Sequence, residues 1–272
     1  VDSIKEIVKI AVATSFLEDE KQRLSIVLLG NPESGKSSIL LSFKYPEGVK
    51  VLSDVTRLKL ITLLKGLKEP EKELRYLIIP DMTVVRSHQK LVERGIISFF
   101  NSALEEGIYD ITQYFGSGVV NITSLKKPLR FGIATSLTKQ IIEDRRRQGF
   151  WYSTGFLSRF LPVSFSYTRE QIEKIREYIA GGAELVDDIE KLSLRGKPKL
   201  VSCNVDDVLC FKEYIDRLAA ASFTYGFRYT RQFRLMLKAH AMLRGSEKVE
   251  PVDIEAVKKL LKWVNLDYNP VE

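Results

Sequence analysis

The sequence predicts an α/β domain built on a parallel sheet over residues 1–168, followed by a helical domain over residues 169–272. Three observations carry this. The segment Leu24-Ser25-Ile26-Val27-Leu28-Leu29 is apolar apart from Ser25 and runs directly into a glycine-bearing loop and a helix-forming stretch. Such a run suits a strand buried on both faces, as in a parallel sheet covered by helices. Strand and helix patterns then alternate as far as residue 165, and beyond residue 167 only helical periodicity remains. A chain of 272 residues, 44% of them hydrophobic, is long enough to bury one large core or two smaller ones.

The elements follow in order. Residues 3–16 place Ile4, Ile7, Val8, Ile10 and Ala11 on one helical stripe. The charged turn Glu18-Asp19-Glu20-Lys21 precedes the first strand, residues 24–29, and a helix over 38–43 follows the loop. Residues 49–52 form a second strand, and Ser53 or Asp54 caps a helix that runs to residue 67. The third strand, 76–79, ends at Pro80-Asp81, and a long helix covers 87–106. Ile111, Tyr114, Phe115, Val119, Val120 and Ile122 around Gly116-Ser117-Gly118 predict a hairpin carried on that helix. Residues 131–135 are a fourth strand and 160–165 a fifth, with Glu143-Asp144-Arg145-Arg146-Arg147 in or beside a helix between them. Helices are expected over 169–180, 183–192, 205–221, 229–243 and 251–264, with Pro251 suited to a first turn and a loop over 194–201. No repeats or low-complexity tracts interrupt the chain.

Composition narrows the function classes. Lys and Arg number 42 against 35 Asp and Glu, a formal charge of +7 that is compatible with a nucleic-acid partner. Two cysteines, Cys203 and Cys210, cannot build a disulfide framework or a four-cysteine zinc site and read as buried apolar fillers. A reducing, intracellular location, cytoplasmic or nucleoid-associated, is the easier reading. His88 and His240 lie far apart and argue against a histidine metal site; His240 reads as a structural histidine. The apolar runs are too short to span a bilayer, and Val1-Asp2-Ser3-Ile4 lacks the apolar run of a secretory signal, so no membrane partner is expected.

Chemistry concentrates in Gly30-Asn31-Pro32-Glu33-Ser34-Gly35-Lys36-Ser37, followed by Ser38, which matches G-x-x-x-x-G-K-[ST] between a strand and a helix. Glycines let the backbone N–H groups wrap phosphate oxygens, Lys36 reaches the β- and γ-phosphates, and the Ser37 hydroxyl holds Mg²⁺. The following helix start adds unpaired N–H groups. No N-K-x-D motif specifies guanine, which favours ATP. Asp81, at the end of an apolar strand, is the candidate second metal residue. Its neighbour Met82 cannot activate water, and Glu93, Glu105 or Glu106 from the next helix are the alternatives.

From Glu93 onward the order of features resembles the MCM-type AAA+ ATPases, the replicative helicase family. The resemblance is carried by Asn101-Ser102-Ala103-Leu104-Glu105-Glu106-Gly107-Ile108-Tyr109-Asp110-Ile111, Leu157-Ser158-Arg159-Phe160, Tyr229-Thr230-Arg231-Gln232-Phe233, Leu237-Lys238-Ala239-His240-Ala241 and Val252-Asp253-Ile254-Glu255-Ala256-Val257. It implies a phosphate-loop AAA+ domain with a C-terminal helical lid, ATP and Mg²⁺ as ligands, and a homo-oligomeric ring such as a hexamer acting on DNA. It further implies that Arg159 is an arginine finger for a neighbour's nucleotide and that Arg231 senses the γ-phosphate. Thr135 or Ser136 would position the attacking water in place of an asparagine, and the hairpin over 111–122 would touch DNA. The chain departs from the family at Met82, where a catalytic glutamate is usual, and at Gln113, where the hairpin carries a lysine.

The nucleic-acid candidates are Gln113, Tyr114 and Phe115 on the hairpin, Lys126, Lys127 and Arg130, and Arg145, Arg146 and Arg147. Each basic patch reads equally as a solvated face. The leading expectation is a ring-forming ATPase that remodels or translocates DNA. The alternatives are a nucleotide-dependent switch or scaffold with slow turnover, favoured by Met82, and a protein-remodelling ATPase.

Overall fold

The computed structural model describes residues 2–87, 90–111, 114, 125, 127–138, 140, 151, 154–182, 194 and 198–266. Five parallel strands form one sheet in the order β2-β3-β4-β1-β5: β1 (Ser25–Gly30), β2 (Val49–Val51), β3 (Tyr76–Ile79), β4 (Gly132–Thr138) and β5 (Phe160–Ser164). The first strand in sequence is thus interior, and β4 lies between it and β3.

Alternation along β1 divides the core. Ile26 and Leu28 face one side with α1 (Asp2–Ala13) and α2 (Lys36–Leu41), while Val27 and Leu29 face the other with α3 (Arg57–Lys65) and α5 (Lys90–Leu104). A short α4 (Pro70–Glu73) precedes β3. The C-terminal helices are α6 (Arg169–Ala180), α7 (Val205–Leu209), α8 (Lys212–Ala221), α9 (Phe227–Leu243) and α10 (Pro251–Leu260). Two of these helices, α9 and α10, pack on α1, and α7 and α8 pack on α9 in turn: Phe233, Met236 and Leu237 of α9 share one buried cluster with Ile4, Ile7 and Val8. Lys238 of α9 is buried and neutralised by Asp19 and by Glu20, the latter at 2.8 Å.

Several predicted boundaries change. The cap of α3 is Thr56, whose hydroxyl accepts the Lys59 amide at 3.1 Å, rather than Ser53 or Asp54. Val55 is fully buried, which holds the capping segment before the helix. The fourth strand continues through Ser136 and Leu137 to Thr138, because its polar residues pair with β1 rather than ending the strand. The helix expected over 205–221 breaks at Cys210 and Phe211, where Phe211 is buried and Cys210 is exposed. Cys210 is therefore no core filler. The last helix ends at Leu260. His240 is a satisfied structural histidine: its Nδ1 lies 2.7 Å from Asp253, which Arg244 also grips. The helix expected over 183–192 and most of the hairpin over 111–122 lie outside the described residues. Among the described residues no helix is long and apolar enough to cross a membrane.

Candidate functional site

The loop of residues 30–37 leaves the C-terminal end of β1. Gly35 (φ 75°) and Glu33 (φ 62°) both occupy the left-handed region. Glycine does so freely, whereas glutamate there carries strain of about 1–3 kcal/mol. Gly30 is also closely packed: a Cβ there would stand 3.1 Å from the Phe165 carbonyl and from Ser34 Oγ, so a side chain would have to push these neighbours back.

Lys36 is folded back into this loop. Its Nζ donates to the Gly30 carbonyl at 3.2 Å, the Asn31 carbonyl at 2.6 Å and Ser34 Oγ at 3.1 Å. Burial lowers its pKa, and the nearby Asp81 pulls the other way. Asn31, Pro32, Glu33 and Gly35, with Ser37 and Ser38 at the helix start, are all exposed, so the loop is open outward.

The end of β3 meets this loop. Ser37 Oγ donates to the Pro80 carbonyl at 3.3 Å, and Ser136 Oγ, from β4, donates to the same oxygen at 2.7 Å. The loop serine, the strand between and the turn at Asp81 therefore converge on one carbonyl. The Asp81 carboxylate is oriented by the Thr83 amide at 2.8 Å and the Thr83 hydroxyl at 2.7 Å. Met82 turns away into the α5-side core and is fully buried.

Of the two predicted water-positioning residues, Ser136 reaches the site. Thr135 lies on the opposite face with Ile133 and Leu137, and its buried hydroxyl has no partner among the described residues. Two residues were missed. Thr138 is in register with Gly30 at the mouth of the loop, which strand pairing alone reveals. Tyr167 donates its hydroxyl to the Ser34 carbonyl at 3.0 Å and so fastens the loop from the β5–α6 connection; its pKa is raised by burial. Among the alternatives for a base, Glu93 is buried and accepts the Trp151 indole N–H at 3.1 Å.

Glu105 and the predicted arginines lie at the other end of the sheet. Arg159 ends the turn that enters β5, which is an edge strand of the sheet, and Arg228 and Arg231 open α9. Arg228 grips Glu105 with Nε at 2.9 Å and Nη2 at 2.8 Å, and Arg159 Nη2 stands 2.7 Å from the same carboxylate. Arg159 also donates to the Gly155 carbonyl at 2.6 Å, and Arg231 donates to the Gln22 side chain. Burial pushes the Glu105 carboxyl up, but Arg228 and Arg159 outweigh it and hold it below the ordinary carboxylate range. These groups line one cleft with Arg23 and Ser25, at the start of β1. One β1 length, about 17 Å at roughly 3.3 Å per residue, separates that cleft from the loop of residues 30–37. Glu105 is thus removed from the loop, as are Arg159 and Arg231.

For the nucleic-acid candidates, Tyr114 packs edge-on against Phe99 at 5.6 Å and its hydroxyl donates to Ser102 at 2.7 Å, which ties the ring to α5. Lys127 is exposed. Arg130 donates to the Glu106 carbonyl and adds its charge near Arg23. Gln113, Phe115, Lys126, Arg145, Arg146 and Arg147 lie outside the described residues. Among the described residues no group of acidic, histidine and cysteine side chains forms a metal cluster of its own. Cys203 and Cys210 are free thiols; burial and Asp207 push Cys203 up to about 11. Compared with known proteins, the chain matches no family model and no curated protein.

Proposed function

We propose that this chain binds ATP with Mg²⁺ at residues 30–37 and is the ATPase subunit of an AAA+-like, MCM-related ring that remodels or translocates DNA. The observation that carries the reading is the convergence of Ser37, Ser136 and the Pro80-Asp81 turn beside a lysine-filled loop. A triphosphate entering the loop replaces the loop carbonyls as partner of Lys36, and backbone N–H groups take the remaining oxygens. The Ser37 hydroxyl and the oriented Asp81 carboxylate are the groups that would hold Mg²⁺, which supplies neutralisation of phosphate charge. Ser136 and Thr138 stand on the strand between loop and acid, where an attacking water has to be oriented.

The position of Arg159 and Arg231, one strand length from their own loop, supports action on a neighbour's nucleotide and hence an oligomer. There a guanidinium stabilises charge developing on the transferred phosphoryl group. A second reading, a nucleotide-dependent switch with slow turnover, is favoured by Met82, whose side chain belongs to the core. The testing experiment is ATP hydrolysis measured with and without single- and double-stranded DNA, on protein of known oligomeric state. Strong stimulation by DNA supports the motor. Binding without turnover supports the switch, and turnover indifferent to DNA supports a protein-remodelling ATPase.

A further inference from the structure

An arginine stands just before each of β1, β3 and β4: Arg23 before Ser25, Arg75 before Tyr76 and Arg130 before Gly132. These strands are neighbours in the order β3-β4-β1, with Tyr76 paired to Gly132 and Ile26 to Ala134. At about 4.8 Å between strands, the three arginines start from a stretch of sheet end about 10 Å wide. Close packing seats each stem. A Cβ on Gly132 would stand 2.8 Å from Arg23 Cβ, one on Gly48 2.8 Å from Arg75 Cγ, and one on Gly107 2.9 Å from Arg130 Nε. The Arg75 guanidinium also lies over the Phe16 ring, 5.2 Å from its centroid.

Carboxylates do not balance this cluster. Arg23 Nη1 donates to the main-chain carbonyls of Glu20 and Gln22, and Arg130 Nη2 to that of Glu106. Asp19 is taken by Lys238, Glu20 by Lys238 and Arg234, and Glu105 by Arg159 and Arg228. Glu47 stands 3.9 Å from Arg75 Nη2 with its side chain 57% exposed, a contact of little weight in water. Among the described residues, Arg75 Nη1 and Arg130 Nε are buried donors without a partner. Burial is the main cause of the Arg23 pKa falling to about 10; Glu20 opposes it, and the charges of Arg75 and Arg130 add to it. The Arg23 guanidinium therefore stays charged at neutral pH, next to two others.

We propose that Arg23, Arg75 and Arg130 form a binding site for a small, multiply charged oxyanion of the phosphate class, such as phosphate or pyrophosphate, at the end of the sheet opposite the loop of residues 30–37. The planar guanidinium fork matches phosphate oxygens with paired N–H donors. Such an ion gives Arg75 Nη1 and Arg130 Nε the acceptors that the described residues do not supply. A nucleic-acid strand carries a single charge on each phosphate and spreads them along its length. Three guanidiniums gathered at one place match several charges on one compact ion instead. The site is also distinct from the cleft around Glu105, which Arg23 lines but Arg75 and Arg130 do not. It holds whether or not nucleotide binds at residues 30–37.

The experiment titrates pyrophosphate calorimetrically, without divalent metal, into the full chain carrying Lys36→Ala, which removes the loop's own cation from the competition. This parent is expected to bind one pyrophosphate per chain. Adding Arg130→Gln or Arg75→Gln is expected to weaken binding at least about 10-fold, the scale of one charge-assisted hydrogen bond. Arg130→Lys keeps the charge without the fork and should weaken it less, and Arg159→Ala should leave it unchanged. Thermal unfolding separates a ligand role from a structural one. In phosphate-free buffer Arg130→Gln should melt no lower than the parent, because it removes charge from an unbalanced cluster. At pyrophosphate about 100 times Kd the parent should gain about 5–10 °C and the variant clearly less. Should Arg130→Gln fail to fold, Arg75→Gln and Arg130→Lys carry the same test. No binding by the Lys36→Ala parent, equal affinity in the Arg75 and Arg130 variants, or a loss in Arg159→Ala as large as theirs overturns the proposal. So does displacement of pyrophosphate by a single-stranded oligonucleotide, which would assign the three arginines to a nucleic-acid backbone.

Discussion

Replacing Glu105 by alanine removes the one carboxylate that two guanidinium groups share. Arg228 holds it through two contacts of 2.9 and 2.8 Å, and Arg159 stands at 2.7 Å. The Arg159 side chain is only 12% exposed, that of Glu105 21% and that of Arg228 36%. Breaking a fully buried pair costs about 3–5 kcal/mol, and an exposed pair contributes about 0–1 kcal/mol. The Arg159 contact lies near the first limit and the Arg228 contact near the second, so the loss is expected at about 3 kcal/mol. At roughly 2–4 °C per kcal/mol for a chain of this size, Tm falls by about 6–12 °C. Glu105→Gln keeps hydrogen-bond acceptors and loses the charge, so its cost is smaller. Because the folded pKa of Glu105 is depressed, its stabilisation is complete above the ordinary carboxylate range and is lost as pH falls through the lowered value. Urea denaturation across pH should therefore show wild type and Glu105→Gln separated at neutral pH and converging in acid. A double-mutant cycle with Arg228→Ala should return a coupling of at least about 1 kcal/mol. A Glu105→Ala protein within about 0.5 kcal/mol of wild type at neutral pH, the range of an ordinary surface change, would refute the reasoning.

Further expectations concern the loop end. Met82→Glu restores a carboxylate beside Asp81 in sequence only; because Met82 is fully buried among apolar side chains, the variant should lose at least about 3 kcal/mol in urea denaturation and gain no turnover. Increased hydrolysis in that variant would show that the site reaches position 82 after all. Tyr167→Phe deletes the hydroxyl that holds the Ser34 carbonyl. It should cost about 1 kcal/mol of stability and weaken ATP-analogue binding severalfold, whereas unchanged affinity would place the tyrosine outside the loop's support.

The parallel sheet was legible because its strands are apolar on both faces. Residues 76–79 and 160–165 are apolar runs of strand length, and the G-x-x-x-x-G-K-[ST] spacing of residues 30–37 is read directly between a strand and a helix. The end of β4 was hidden because Thr135, Ser136 and Thr138 look like strand-terminating polar residues. What they satisfy, Pro80 and the register with Gly30, is supplied by distant segments. Tyr167 was overlooked for the same reason: its partner, Ser34, is separated from it by most of the domain. The break at Phe211 leaves no proline or glycine as a signal, since it comes from burying one aromatic ring between helices. Arg159 and Arg231 could be proposed from local patterns. That they gather with Arg228 around Glu105, away from their own loop, depends on the sheet order and on how α9 crosses it.

The most direct test of nucleotide binding at residues 30–37 is a calorimetric titration of MgATP into wild type and Lys36→Ala. The account predicts saturable binding of one ATP per chain in wild type and an affinity at least about 10-fold weaker in the variant, the scale of one charge-assisted contact to phosphate. No binding by wild type, or equal affinity in both proteins, would contradict it.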